Sequence, residues 1–98
     1  MTREEFNTRV AAHTGTTPFL MMAATCPVCR MMRPALYELI ARMRASVRSI
    51  ETSQAASVEL SRYLGVCQLP LILIWKDGKQ IHASEGAIDV GILERKLK

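Results

Sequence analysis

The chain has 98 residues, which is enough for one domain with a modest core and too few for two. Hydrophobic residues make up 49%, charged residues 22% and the formal net charge is +4, as in many globular proteins. No apolar run reaches about 18 residues, so no membrane is expected as a partner. The three cysteines cannot all pair within the chain, which excludes a complete disulfide framework.

The first part of the chain alternates between helical and strand patterns. Residues 4–13 have the apolar spacing of a helix, and Thr2 followed by Glu5 has the spacing of a capping box. The apolar run at residues 18–24 predicts a strand that is buried on both faces. Residues 29–44 predict a helix with one apolar stripe.

The rest of the chain adds three strands and two helices. In chain order these are a weaker strand at 45–50, a helix at 53–64, strands at 71–75 and 79–84, and a helix at 90–97. Gly65 stands where a left-handed helix C-cap belongs, and Asp77-Gly78 is a hairpin signal. We therefore predict an α/β domain over residues 1–98, a mixed sheet of about four strands with helices on both faces. Parallel pairing is expected in its first half and an antiparallel hairpin near its end.

Cys26 and Cys29 stand three positions apart where a predicted strand meets a helix. The helix dipole and the unpaired N–H groups at that end favour a thiolate at Cys26, which lowers its pKa below about 8.5. Pro27 suits the first helical turn because its missing N–H would have no helical partner. Cys26 would attack a substrate disulfide and Cys29 would resolve the mixed disulfide, with Arg30 adding electrostatic support.

Two other interpretations of this cysteine pair remain open from the residues alone. A structural zinc site needs four ligands, and the other candidates are Cys67, His13 and His82. None of these three stands at paired spacing, so no metal is expected. The second alternative is an inert pair of buried thiols.

The distribution of charge bears on partners and location. Five arginines lie between positions 30 and 48, which indicates a solvated helix face or a basic surface that steers acidic partners. No nucleic-acid partner is expected, because aromatic interleaving and a recognition module are both missing. The N-terminus lacks the apolar region of a secretion signal, so we expect a cytoplasmic protein.

Two separated motifs resemble the thioredoxin family. The first follows the pattern C-x-x-C-[KR]-M-x-x-P and is carried by Cys26, Cys29, Arg30, Met31 and Pro34. The second is the run LGV at residues 64–66 with Leu69-Pro70 and the strand and hairpin LILIWKDGKQI, and Gly86 stands at the family's glycine before the last helix. The resemblance covers about residues 3–97. It implies a thioredoxin fold without the family's first strand, because the chain starts at the first helix.

The resemblance also implies a role for each residue near the pair. Cys26 would be the nucleophile and Cys29 the resolving thiol, and their disulfide would be the redox group, without a cofactor. Pro70 would be a cis-proline, and Leu69 would pair its backbone with an extended substrate segment. The supporting residues would be Pro27, Val28, Arg30 and Pro70, and the substrate-binding residues would be Thr25, Leu69 and Gly86. Cys67, three residues before Pro70, is either a boundary side chain or a regulatory thiol.

The chain departs from the family at the active site. Thr25 replaces the usual tryptophan before the nucleophile, and Pro27-Val28 replaces Gly-Pro. Leu20 stands at the family's buried aspartate, for which Glu51 is a candidate substitute. We therefore expect chemistry that is slower or differently poised than that of thioredoxins.

The function that these observations favour is a monomeric thiol-disulfide oxidoreductase that reduces protein disulfides. Its electron donor would be a thioredoxin-reductase-like enzyme or glutathione. One alternative is a glutaredoxin-like, glutathione-dependent reductase. The glutaredoxin signatures T-V-P and C-D-D are absent, however, because the corresponding positions read QLP at 68–70 and SEGA at 84–87. The other is a non-catalytic thioredoxin-fold module that binds a partner protein.

Overall fold

Four strands form one mixed sheet in the computed structural model, which describes residues 1–98. The strands are β1 (Thr16–Met22), β2 (Ile50–Ser53), β3 (Leu71–Lys76) and β4 (Lys79–Glu85). Their order across the sheet is β2-β1-β3-β4. β2 runs parallel to β1, whereas β3 runs antiparallel to both β1 and β4. The predicted four-strand sheet with mixed pairing is confirmed.

Helices lie on both faces of this sheet. They are α1 (Arg3–Phe6), which continues as a π-helical turn (Asn7–Ala11), α2 (Pro27–Met43), α3 (Val58–Leu64) and α4 (Val90–Leu97). None of the helices combines the length and the apolar character that crossing a bilayer requires.

The two central strands divide their side chains between two cores. Leu20 and Ile72 belong to the core beneath α2 and α4, while their neighbours Phe19 and Leu71 belong to the core beneath α1 and α3. This alternation follows from the two-residue period of a strand. Because helices cover both faces, the prediction that the first strand is buried on both sides is confirmed: residues 17–22 are all buried.

Local signals define several helix ends. The capping box is present, because the Thr2 side chain accepts from the Glu5 N–H and the Glu5 carboxylate accepts from the Thr2 N–H. Gly65 ends α3 with φ of +69°, in the left-handed region that glycine reaches without strain. Both sequence-based expectations are confirmed.

The weaker strand predicted at residues 45–50 is wrong. The N–H groups of Ser46 and Val47 donate to the carbonyl of Met43 and prolong the end of α2 as a turn. Val47 makes only an isolated bridge with Thr16, and the strand itself begins at Ile50. The next helix consequently starts at Val58 instead of near residue 53.

Candidate active site

The cysteine pair lies where β1 leads into α2. Cys26 is the N-cap residue of α2, Pro27 occupies the first turn, and Cys29 lies inside the helix. The Sγ atom of Cys26 accepts the backbone N–H of Cys29 at 3.1 Å, as a serine or threonine side chain does at this position. The helix thus starts at Pro27, two residues before the predicted start. Cys26 is partly exposed, whereas Cys29 is fully buried.

The surroundings shift the pKa values of the two thiols in opposite directions. Burial acts to raise the pKa of the Cys26 thiol, but hydrogen bonds from the Cys29 thiol and from the backbone N–H groups of Cys29 and Val28 outweigh it. The pKa of Cys26 therefore lies below its ordinary value. Burial, followed by the hydrogen bond to Cys26, raises the pKa of the Cys29 thiol. The arrangement favours a thiolate at Cys26 beside a protonated Cys29.

A single arginine contributes to the electrostatics of both thiols. Arg33 lowers the pKa of Cys26 and also acts to lower the pKa of Cys29. Arg33 lies one helical turn after Cys29 and is partly buried, whereas Arg30 is exposed. Arg33 is thus the charged residue that acts on the pKa of both thiols, and support from Arg30 stays a prediction. The sequence did contain a signal for Arg33, because residues four positions apart on a helix are neighbours on its surface.

The segment before β3 lies against the nucleophile. The Cys26 thiol donates to the carbonyl oxygen of Leu69 at 3.7 Å. The Leu69–Pro70 peptide bond is cis, and the carbonyl of Pro70 accepts the Gly86 N–H at 3.1 Å. The fold therefore brings Leu69, Pro70 and Gly86 together beside Cys26. Val28 and Leu69 are partly buried and pack against the core that contains Cys29.

Thr25, the residue before Cys26, lines an open cavity of about 420 Å³. Three of the seven residues around this cavity are apolar and the others are polar or basic: Ala23, Thr25, Gln54, Ala55, Val58, Ser61 and Arg62. Gln54 donates its amide to the Ser61 hydroxyl at 3.4 Å within this wall. The volume lies in the range typical of sites for small molecules.

A carboxylate that no sequence pattern indicated joins the end of β4 to the loop before β3. Oε1 of Glu85 accepts the backbone N–H of Gln68 at 2.8 Å and also accepts the N–H of Cys67. These two hydrogen bonds, that from Gln68 first, lower the pKa of Glu85. Cys67 itself is exposed. No local pattern signals this contact, because it joins residues 17 and 18 positions apart through the pairing of β3 with β4.

No carboxylate is buried under the cysteine pair. Leu20 is buried in the same core as Cys29, and no aspartate or glutamate is among the buried residues. Glu51 stands beside Leu20 on β2 but is exposed, and its Oε2 accepts the Tyr37 hydroxyl at 2.9 Å. The suggestion that Glu51 replaces the family's buried carboxylate is therefore wrong.

The remaining candidates for a metal site lie apart from the pair. His82 shares a hydrogen bond of 3.0 Å with the Ser84 hydroxyl on β4. Burial, followed by the charge of Lys96, lowers the pKa of His82. No group of three or more His, Cys, Asp or Glu side chains converges as metal ligands.

Comparisons with known proteins identify the family and the fold. The family model described as Thioredoxin matches residues 1–98. The chain is similar to Thioredoxin 1 of Synechococcus elongatus, with 24% identity over 66 residues that span 67% of this chain and 62% of that relative, less than two thirds of its length. It also resembles the crystal structure of oxidized mitochondrial thioredoxin 3 from Saccharomyces cerevisiae. That likeness has a TM-score of 0.84 and 25% identity, and covers 98% of this chain and 88% of the other. The chain belongs to the thioredoxin family.

Proposed function

We propose that the protein is a thiol-disulfide oxidoreductase that reduces protein disulfides. Membership of the thioredoxin family and the shared fold support thiol-disulfide chemistry in general. The observation that carries the proposal is the contrast between a partly exposed Cys26 with a lowered pKa and a buried Cys29 with a raised pKa. The contrast suits an exchange reaction, because Cys26 supplies the attacking thiolate and Cys29 keeps its proton until it resolves the mixed disulfide.

The reaction proceeds in two exchange steps. The Cys26 thiolate attacks one sulfur of the substrate disulfide, forms a mixed disulfide and releases the other substrate sulfur as a thiolate, which takes a proton from water. Cys29 then loses its proton and attacks Sγ of Cys26, which releases the second substrate thiol. Two electrons have passed to the substrate, and a Cys26–Cys29 disulfide remains. A thioredoxin-reductase-like enzyme or glutathione would reduce that disulfide.

Substrate alignment would come from the segment that lies against Cys26. The backbone of Leu69 precedes β3 and would pair with an extended substrate strand. Thr25 and Gly86 would also contact the substrate, and Pro70 would support the segment, since its carbonyl accepts the Gly86 N–H. We place this activity in a cytoplasmic monomer formed by residues 1–98, and we propose a regulatory role for the exposed thiol of Cys67.

A glutathione-dependent reductase is the second candidate. The cavity beside Thr25 favours it, because the cavity has the size of a small-molecule site and Arg62 in its wall can bind a peptide carboxylate. An assay with glutathione and a glutathionylated substrate distinguishes this activity. Turnover with glutathione that exceeds turnover with a dithiol donor would favour the second candidate over the first.

Reduction of insulin disulfides in the presence of dithiothreitol tests the leading proposal. We expect the wild type to exceed the background rate and Cys26→Ser to fall to it, because the attacking sulfur is lost. When reduced protein is mixed with insulin after dithiothreitol has been removed, Cys29→Ser should accumulate a mixed disulfide, because attack proceeds without resolution. A wild type that never exceeds background would refute the reductase and leave a non-catalytic module that binds a partner protein.

A further inference from the structure

A single carboxylate joins the end of β4 to the loop before β3. Glu85 is the last residue of β4, and its Oε1 accepts the N–H groups of Cys67 and Gln68 in the loop before β3. We call these three residues the Glu85 clasp. Two neighbouring backbone N–H groups that converge on one charged oxygen form hydrogen bonds that are stronger than bonds between neutral groups.

The clasp is needed because these N–H groups have no place in the sheet. Cys67 and Gln68 lie between the end of α3 and the start of β3, where neither the helix nor the ladder supplies an acceptor. Without the carboxylate, both N–H groups would turn to water and the loop would gain freedom. The Glu85 side chain is exposed, so solvent surrounds the clasp and the carboxylate remains ionised at neutral pH.

Further contacts carry this constraint to the active site. The Gln68 side chain lies over Gly86, since a Cβ atom on Gly86 would come within 2.8 Å of its Oε1. The Gly86 N–H in turn donates to the carbonyl of Pro70. Between Gln68 and Pro70 lies Leu69, whose carbonyl accepts the Cys26 thiol. The segment Gln68-Leu69-Pro70 is thus held at both ends, and the Glu85 clasp holds its N-terminal end.

We propose that Glu85 is a positioning residue that holds the backbone of Gln68 and Leu69 ready to pair with an incoming substrate strand. The inference rests on the proposed function, because pairing with Leu69 is part of it. Glu85 touches neither sulfur, so it acts by fixing the segment and not by moving protons. Its removal should therefore weaken substrate binding more than it slows exchange in the bound complex.

Three variants of the full chain test the inference. Glu85→Ala removes the carboxylate, Glu85→Gln keeps its shape and a neutral acceptor, and Glu59→Ala removes an exposed carboxylate in the first turn of α3 as the matched control. With a peptide disulfide as substrate, we expect Glu85→Ala to raise KM about tenfold. The change in kcat should stay within about threefold. Glu85→Gln should lie between the wild type and Glu85→Ala, and Glu59→Ala should stay within about twofold of the wild type.

Amide hydrogen exchange supplies a readout that does not depend on turnover. We expect Glu85→Ala to speed exchange of the Cys67 and Gln68 amides about tenfold or more while the amides of β3 keep their protection. If the wild type reduces no disulfide but this exchange pattern holds, the proposed function fails and the clasp stands. If KM and exchange in both Glu85 variants match Glu59→Ala, the clasp is overturned while the reductase stands. Glu85→Gln keeps the test valid if Glu85→Ala does not fold.

Discussion

The two thiols of the candidate site differ because they stand at different positions on one helix. Cys26 precedes the first turn of α2, where backbone N–H groups point at its sulfur, and Cys29 lies three residues further on, inside the core. The first position stabilises a negative charge and the second disfavours it. A difference in chemical role therefore follows from a displacement of less than one helical turn.

The pH dependence of alkylation tests this difference together with the role of Arg33. Below the ordinary thiol pKa, we expect iodoacetamide to modify Cys26 before Cys29 or Cys67, because the lowered pKa supplies more thiolate. Arg33→Gln removes a charge that favours the thiolate, so its alkylation curve should move to higher pH. Arg30→Gln is the matched control and should move the curve less. An equal shift in both variants would show that position along the helix is irrelevant.

The leucine at the family's aspartate position can be tested by restoring the carboxylate. Leu20 is 2% exposed and packs in an apolar core cluster with Cys29. Leu20→Asp should lower the free energy of unfolding by more than about 3 kcal/mol at pH 7. The substitution removes a buried apolar side chain and introduces an unpaired charge.

Urea unfolding at two pH values separates the charge from the loss of packing. Burial raises the pKa of an aspartate in the folded state above its pKa in the unfolded state. At pH values between these two pKa values, the folded state therefore binds more protons than the unfolded state. The loss of stability in Leu20→Asp should therefore be smaller at pH 4 than at pH 7. Leu20→Asn, the neutral control, should show no such change. Equal losses for Leu20→Asp at both pH values would contradict a buried charge.

At the scale of elements, helix ends fix where the site residues stand. The N-terminus of α2 places Cys26, and the end of α3 at Gly65 directs the chain into the loop that carries the Glu85 clasp. The N–H of Gly65 donates to the carbonyl of Arg62, and that of Val66 donates to Ser61, which closes the last turn of α3. This end was predictable because glycine is the residue that adopts a left-handed backbone at little cost.

Substitution of Gly65 isolates the cost of that backbone conformation. The space around an added Cβ atom is open, so steric contact with other residues plays no part. Gly65→Ala should lower the free energy of unfolding by about 1 kcal/mol, and Gly65→Asn should cost less because asparagine tolerates the left-handed region. Chemical denaturation measures both variants. An alanine variant as stable as the wild type would mean that the loop adopts another backbone conformation.

At the scale of the whole molecule, one sheet separates two cores, and the candidate site lies at one end of its two central strands. The core beneath α2 and α4 contains Cys29, and the core beneath α1 and α3 contains Phe6. Both share β1 and β3, so loosening either core disturbs the strands that hold the other. The candidate site lies where the end of β1 meets the loop before β3, and both strands are buried where they face it.

The distant core offers a test of this coupling. Phe6 is 2% exposed and meets the Phe19 ring edge-on at 5.0 Å and the Trp75 ring at 6.1 Å. Phe6→Ala should lower the free energy of unfolding by about 3 to 5 kcal/mol. Unfolding followed by circular dichroism and by Trp75 fluorescence should give a single coincident transition, because the cores share strands. Two separate transitions would show that α1 unfolds on its own.

Most of the element order could be read from local patterns, and the one failed strand has a physical cause. Apolar periodicity located all four helices and three of the four strands. The failed strand at residues 45–50 has a suitable composition, but its N–H groups are taken by Met43 at the end of α2. Composition indicates which secondary structures a segment tolerates. Whether its N–H groups are free to form a strand depends on where the preceding helix ends.

The sequence by itself determined the cysteine pair at a strand–helix junction, the glycine helix end and the hairpin, because each depends on residues close together in the chain. Only the tertiary structure decided which groups surround the pair. Cys26 and Leu69 are 43 positions apart and meet because β1 and β3 are neighbours in the sheet. Glu85 reaches Cys67 and Gln68 because β3 pairs with β4. Local propensities place residues on elements, but the packing of elements determines which side chains meet.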